Sequence, residues 1–406
     1  MKIIHITASY KPAYVYGGPI QSVAKLCEAL TVFSDRRIAA GEDKTAIHQL
    51  KVLTTTANGT EELQVNTDTP ILIDNVAVSY FKRWTKDHSH FSPQLLIKLR
   101  KEILQSQNSK LIIHIHSWWN LVSVLSCLVA KWYKIPVVLS PRGMLTTYTF
   151  GNRNSFFKRC IHKVMGNQLL KYCHIHATSN QEKRDVSAIV TPKSIRIVSN
   201  LVKLPSKELT IQNEISDNKN QKNFFKIIFL SRIEEKKGLE LLFEALSLIN
   251  FPWQLTIGGT GNDDYTRSLK EKAENLKLSD RIIWLGLVSN ENKFNLMAEH
   301  DLTALTSYNE NFANVIVESL GVGTPVLISK FVGLADYVTD KNLGWITGLD
   351  IEEIKTGIIQ AYQDVEKRKK IREIARLLIN EDFNDNTLVE QYMEYYQKIL
   401  AQPSAL

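Results

Sequence analysis

Four cysteines in 406 residues, Cys27, Cys127, Cys160 and Cys173, are too few for a disulfide framework, and none forms a CxxC pair. Such sparse cysteine suits a reducing cytoplasm. No Asp-x-Asp occurs, so nothing marks a metal-bridged nucleotide-diphosphate site. The GxxxxGKS/T loop of a nucleotide triphosphatase is also missing. Long apolar runs are lacking: the most apolar stretch, residues 121–138, is broken by Lys131 and Lys134. It falls short of the ~20 apolar residues of a spanning helix. The opening Met1-Lys2-Ile3-Ile4-His5-Ile6 reads straight into a strand rather than a cleavable leader. No short repeat recurs. A soluble, cytoplasmic chain that can still touch a membrane is expected.

What is present is length and alternation. A chain of 406 residues exceeds a usual single core, so two domains are expected. Hydrophobic residues at 44% and charged residues at 23% are ordinary for a globular protein. Charge is not evenly spread. Residues 1–200 hold 26 Lys and Arg against 12 Asp and Glu, whereas residues 201–406 hold 24 against 30. One half is therefore suited to an anionic partner and the other is not.

Strands are expected at residues 2–7, 49–55, 76–81, 111–116, 136–139 and 174–178, with helices at 20–30, 93–105 and 121–133. Residues 204–223, rich in Asn, Lys, Glu and Ser, read as a linker. A second series follows, with strands at 225–230, 254–258, 282–285, 302–305 and 325–328. Helical stretches at 351–378 and 388–400 finish the chain. Strand–helix alternation with β-branched strands predicts an α/β protein, two doubly wound Rossmann-like domains facing across a cleft. Their expected bounds are 1–203 and 224–385, leaving 386–406 as a terminal helix.

The strongest chemical signal is the run from Ser307 to Val326, with Glu310, Phe312, Ala313, Asn314, Val315, Glu318 and Gly323-Thr324-Pro325-Val326. Strand, polar loop and helix succeed one another there. Two carboxylates eight residues apart in one helix would be offset by about 80°. With Glu310 in the loop before the helix, both reach one cleft. The first N–H groups of the helix, around Ala313 to Val315, could hold a phosphate. The plainer alternative is a capped helix with one surface carboxylate.

The second signal is Ser231-Arg232-Ile233-Glu234-Glu235-Lys236-Lys237-Gly238, after the strand at 225–230. Arg232 falls at the carboxyl edge of the sheet, where open α/β folds bind ligands, and Lys237 opens the next helix. Two fixed cations suit a diphosphate without a metal ion. Lys236 and Glu234 read as solvated charge. Gly17-Gly18-Pro19 permits close approach of backbone to a ligand at a helix start. Gly258-Gly259-Thr260-Gly261 lacks the spacing of a dinucleotide fingerprint. The pairs His114/His116 and His174/His176 each share a strand face and read as core or edge histidines rather than metal ligands.

These motifs resemble retaining glycosyltransferases of the GT-B fold, specifically the group 1 or family 4 class that includes bacterial polysaccharide-assembly enzymes. Glu310 to Glu318 with Phe312 and Gly323-Thr324-Pro325-Val326 carry most of the resemblance, with Arg232 to Lys237-Gly238 next. Gly17-Gly18, Leu285-Gly286-Leu287-Val288 and Gly333-Leu334-Ala335-Asp336-Tyr337-Val338 add to it. The resemblance implies an enzyme whose second domain binds a nucleoside-diphosphate sugar, UDP- or GDP-linked, and whose first binds the acceptor. It implies that the terminal helix crosses back to the first domain. Arg232 and Lys237 would hold the diphosphate, Glu310 the donor sugar, Glu318 the ribose. Phe312 to Val315 would offer backbone N–H groups, Gly286 to Val288 would meet the base, and Gly17 and Gly18 the diphosphate. It further implies retention of configuration and no cofactor or metal.

Many relatives place a histidine where this chain has Arg142, within Ser140-Pro141-Arg142-Gly143-Met144. That sequence is common among capsule, exopolysaccharide and O-antigen enzymes, and Arg142 becomes a candidate sugar or acceptor contact. Asn200, in Ser199-Asn200-Leu201, stands where relatives have Pro-Asn-Gly.

Two rival readings remain at this level: a nonhydrolysing sugar-nucleotide epimerase on the same fold, and a basic nucleic-acid-binding protein. No nucleic-acid motif supports the latter, and no nucleic-acid partner is expected. The basic stretch 152–172 suits an anionic inner-membrane surface, a lipid-linked or oligosaccharide acceptor, or an ordinary amphipathic core helix.

Overall fold

The computed structural model describes residues 1–41, 46–106, 110–146, 149, 165–205, 224–289 and 291–402. The chain divides into two compact units, residues 1–201 with 383–406, and residues 202–382.

The first unit is built on an eight-stranded sheet. Its spatial order is Ser194–Ile197, His174–Ala177, Val137–Ser140, Leu111–His116, Lys2–Ile6, Gln49–Thr55, Val76–Phe81 and Ile71–Ile73. All pairings are parallel except the last. The order reverses between Lys2–Ile6 and Leu111–His116, the switch point at which doubly wound sheets open a crevice. Alternation along the strands sorts the two cores. Ile4, Ile6, Ile113, Ile115, Leu139 and Ile175 face the helices Pro93–Gln105, Leu121–Trp132 and Asn167–Tyr172. Ile3, Ile112 and Val138 face the other layer, where Leu26 and Leu30 of helix Gly18–Ala39 meet Leu388, Tyr392 and Tyr396 of helix Asp385–Ala401. A Lys25–Asp385 ion pair at 2.6 Å joins these two helices. The terminal helix thus belongs to the first unit.

The second unit carries six parallel strands in the order Ile282–Gly286, Trp253–Gly258, Phe225–Leu230, Leu302–Leu305, Val326–Ser329 and Gly344–Thr347. In chain order this is 3-2-1-4-5-6, the dinucleotide-fold arrangement. Its switch point lies between Phe225–Leu230 and Leu302–Leu305.

Several expected elements differ. The helix expected at 351–378 is two, Ile351–Gln363 and Val365–Asp382. Asp364 leaves the helical region, and its Oδ1 accepts from Lys367 N at 3.0 Å, which starts a new helix. The helix expected at 20–30 runs on to Ala39, as no breaker occurs before Gly41. The short strands Ser194–Ile197, Gly344–Thr347 and Ile71–Ile73 were not expected, since three or four residues carry too little alternation to read.

Of the basic stretch 152–172, residues 152–164 lie outside the described residues. In the described part, Leu169 and Leu170 are buried in the first unit's core, as in an amphipathic core helix. No helix among the described residues is long and apolar enough to cross a membrane.

Candidate functional site

Strand Phe225–Leu230 ends at the switch point and releases Ser231 and Arg232 into a loop. That loop is clamped by the Gly258–Gly261 turn. A Cβ on Gly259, whose φ is +141°, would stand 1.8 Å from Ser231 O, so only glycine lets the two backbones touch. Arg232 is exposed, and its Nη1 reaches Glu234 Oε1 at 2.7 Å.

A 3-10 turn, Glu235–Lys237, follows, and Gly238 (φ 66°) turns the chain into helix Leu239–Ser247. Lys237 therefore sits one turn before that helix rather than at its start. A Cβ on Gly238 would lie 2.3 Å from Thr306 O, and Tyr308 N donates to Lys236 O at 2.9 Å. These contacts press the lysine turn against the loop that follows strand Leu302–Leu305.

Glu310 lies in that loop. Its N donates to Phe331 O at 3.0 Å and its O accepts from Gly333 N at 2.8 Å, so the backbone is held on both sides. Its Oε1 accepts from Lys237 Nζ at 2.8 Å, with Lys236 Nζ 3.8 Å away. Burial pushes the carboxyl up, but Lys237, Lys236 and Arg232 outweigh it and hold the group below the ordinary glutamate value. Lys236 is half-buried and its own value is lowered, chiefly by burial. It is not the solvated charge the sequence suggested. Being adjacent to Lys237 in a tight turn was the available signal.

Helix Asn314–Gly321 starts from Ala313, which is left-handed (φ 65°, ψ 77°), with no capping side chain. A non-glycine residue there stores strain of about 1–3 kcal/mol, a feature that collects at functional sites. The Phe312 side chain is buried. Glu318, also buried, pairs with Lys293 Nζ at 2.7 Å. Nothing in the sequence points to Lys293, which lies 25 positions away. Gly286 (φ 66°) ends strand Ile282–Gly286 and accepts from Gly259 N at 2.7 Å, and Val288 packs beside Gly258. Arg232, Lys237, Glu310, Glu318, Gly286 and Val288 thus lie along the carboxyl edge of one sheet.

Gly17, Gly18 and Arg142 belong to the first unit. Gly17 (φ 72°, ψ −140°) links the turn Tyr14–Tyr16 to helix Gly18–Ala39 in a conformation that suits glycine alone. Arg142 points inward. It donates to Ser22 Oγ (2.8 Å), Asn200 Oδ1 (3.3 Å) and His116 Nδ1 (3.4 Å). Burial lowers its value. The guanidinium holds Ser22, on the second turn of the helix that begins at Gly18.

Around Arg142 the histidines form a buried relay. His176 Nε2 lies 2.8 Å from Val198 O and must donate. His176 Nδ1 then accepts from Ser140 Oγ (2.6 Å), which accepts from His114 Nε2 (2.7 Å). His114 Nδ1 accepts from Tyr396 Oη at 2.7 Å. One assignment satisfies the whole chain, with each ring neutral and protonated on Nε2. Likewise His116 Nε2 donates to His5 Nδ1 at 2.9 Å. His5, His114 and His116 are the three metal-competent side chains that cluster among the described residues. All of their ring nitrogens except His5 Nε2, which is buried without a partner among the described residues, serve this network, and the Arg142 cation beside His116 opposes a dication. His114, His116, His174 and His176 are all buried.

Residues 210–378 match the family model described as Glycosyl transferases group 1, and residues 44–204 that of Glycosyltransferase Family 4. Among curated relatives, the N-acetyl-alpha-D-glucosaminyl L-malate synthase of Bacillus anthracis is 25% identical over 43% of this chain and 45% of its own. The alpha-galactosylglucosyldiacylglycerol synthase of Streptococcus pneumoniae is 25% identical over 65% of this chain and 67% of its own. The first of these alignments thus spans under half of the relative's length. Anabaena HepE, solved with UDP and glucose, superposes with a TM-score of 0.69 at 19% identity, covering 98% of this chain and 100% of its own. That likeness shows the fold, two Rossmann-like units of the GT-B type.

Proposed function

We propose that this chain, with a glycosyltransferase-class domain matched in each half, moves a hexose-type sugar from a nucleoside diphosphate to a saccharide acceptor. The observation that carries the reading is the Lys237–Glu310 pair at the switch point, with Lys236 and Arg232 beside it. Breaking the bond between sugar and diphosphate develops negative charge on the phosphates and positive charge on the ring. A cation cluster and an uncapped helix start stabilise the first, and a carboxylate stabilises the second.

In this reading the diphosphate takes Lys237 and Lys236 from Glu310 and Arg232 from Glu234, and the Glu310 carboxylate turns to the sugar. Glu318 accepts from the ribose hydroxyls. The backbone of Phe312 to Val315 meets sugar and phosphate, Gly286 and Val288 meet the base, and Gly17 and Gly18 approach the diphosphate. Arg142 acts on the acceptor side through the helix turn it holds. Configuration is retained and no metal is required. The donor is a UDP- or GDP-sugar, with UDP favoured by the likeness to a UDP-bound structure. The acceptor is a lipid-linked or oligosaccharide chain in bacterial glycolipid, capsule or O-antigen assembly, at the cytoplasmic face of the membrane. The diacylglycerol-linked product named for the streptococcal relative supports a lipid-linked acceptor.

The test is incubation with UDP- and GDP-sugars, with and without a chelator, in the presence of a membrane-lipid extract. Glycosylated lipid and free nucleoside diphosphate, unaffected by the chelator, are expected by mass spectrometry. An epimerised nucleotide sugar without acceptor would replace this reading with the epimerase.

A further inference from the structure

Glu318 is a buried carboxylate with one of its two oxygens hydrogen-bonded. Oε1 accepts from Lys293 Nζ at 2.7 Å, and the side chain makes no other hydrogen bond among the described residues. Its side chain is 10% exposed and that of Lys293 11%, so water does little to solvate the pair.

Lys293 is fixed from several directions. It opens helix Lys293–Ala298, and its N donates to Ser289 O at 3.1 Å, which ties it to the loop after Gly286. Its ammonium lies 5.0 Å from the centre of the Phe294 ring. At the other end of the helix, Met297 O accepts from Thr324 Oγ1 at 2.8 Å, anchoring it to the turn after helix Asn314–Gly321. One residue therefore joins the loop carrying Gly286 and Val288 to the carboxylate of Glu318.

We infer that Lys293 is a positioning residue for nucleoside recognition: it fixes Glu318 through Oε1 so that Oε2 is presented to the vicinal hydroxyls of a ribose. The inference rests on the proposed nucleoside-diphosphate site and adds to it the residue that sets the choice of ribose over deoxyribose. Without the ammonium, the carboxylate loses its fixed rotamer and the one side-chain partner it has among the described residues, and the ribose contact is no longer preorganised. The base-facing loop loses its tie to the same point.

Calorimetric titration with UDP, 2′-deoxy-UDP, GDP and 2′-deoxy-GDP tests this. The wild type is expected to favour the ribo form of its nucleotide by about tenfold or more. Lys293→Met should lose about tenfold in affinity for the ribo form, bind the deoxy form as before, and raise the donor KM with little change in kcat. Lys293→Arg should restore part of the discrimination. If Lys293→Met does not fold by circular dichroism, Lys293→Gln is read on the same titrations. Wild-type discrimination in a folded Lys293 variant, or a fall in kcat at unchanged KM, overturns the inference while leaving the nucleotide site intact. A wild type that binds no nucleotide overturns both.

Discussion

At the switch point of the first sheet the buried polar groups are rings and hydroxyls, His5, His114, His116, His176, Ser140, Tyr392 and Tyr396, around a single guanidinium. At the same point in the second sheet they are lysines against glutamates, Lys237 with Glu310 and, further along the edge, Lys293 with Glu318. The folds are alike and the strand orders nearly superimpose, so the difference lies in what each edge is built to meet. A neutral relay, satisfied here at every ring nitrogen but His5 Nε2, rigidifies its surroundings. Buried ion pairs are weak contributors to stability. In the proposed function, they are charges that a diphosphate and a sugar exchange into.

The largest expected effect that would break this comparison is acid sensitivity. Burial lowers His5 and His176 to about 3, and His90 and His174 to about 4, all in the first unit. Their unfolded value is about 6.5, so between roughly pH 6.5 and 4 the unfolded chain binds more protons than the folded one. Stability is then lost as pH falls, by up to about 1.4 kcal/mol per pH unit for each ring. His114 and His116 are lowered as well, and Glu182 and Asp185, raised by burial, oppose this with two groups against six among the described residues. The second unit has one histidine, His300, and Glu310 is lowered, so its pair persists until below the ordinary carboxylate range. Hydrogen exchange at pH 5 should therefore show residues 111–116 opening well before residues 302–305. Equal opening would mean that the relay is not a neutral network.

Next in size is the loss of transfer in Glu310→Ala and Lys237→Ala. Each should lower kcat by 10²- to 10³-fold, about 3–4 kcal/mol of barrier, with the far-ultraviolet spectrum unchanged. Wild-type turnover in both would remove the exchange role of the pair.

The smallest effect sharpens the comparison within the first unit. Tyr396→Phe leaves His114 Nδ1 without its donor, and should cost about 1–3 kcal/mol with donor affinity unaffected. Denaturant unfolding and nucleotide titration on the same sample separate the two. A stability change below a few tenths of a kcal/mol would show that the Tyr396–His114 bond does little to hold the terminal helix.

Much of the fold was legible because parallel strands buried on both faces leave unbroken β-branched runs. Lys-Val-Leu-Thr-Thr in residues 51–55 and Ile-Ile-Phe-Leu in residues 227–230 fall inside observed strands. Strand Ser194–Ile197 was not legible, since a four-residue edge strand gains its hydrogen bonds from a distant partner, His174–Ala177. In the site, Glu310, Glu318, Arg232 and Lys237 could be picked out because residue type and loop position already imply their chemistry. Lys293 could not, because a lysine in Asn-Lys-Phe-Asn reads as solvated until the chain folds it against Glu318. Arg142 was read as a ligand contact from its place in Ser-Pro-Arg-Gly-Met, whereas its direction depends on Ser22, Asn200 and His116, drawn from three separate segments.

The sequence by itself determined two α/β units, the loop–helix carrying both glutamates, and the cation-bearing turn after Leu230. Each of these rests on local periodicity and on residue chemistry that holds wherever the segment is placed. Only the tertiary structure decided which polar group meets which: Lys237 with Glu310, Lys293 with Glu318, and His114 between Ser140 and Tyr396. Those pairings join residues from 25 to 282 positions apart. Burial then makes each partner obligatory, because an unpaired polar group away from water costs more than any local preference can repay.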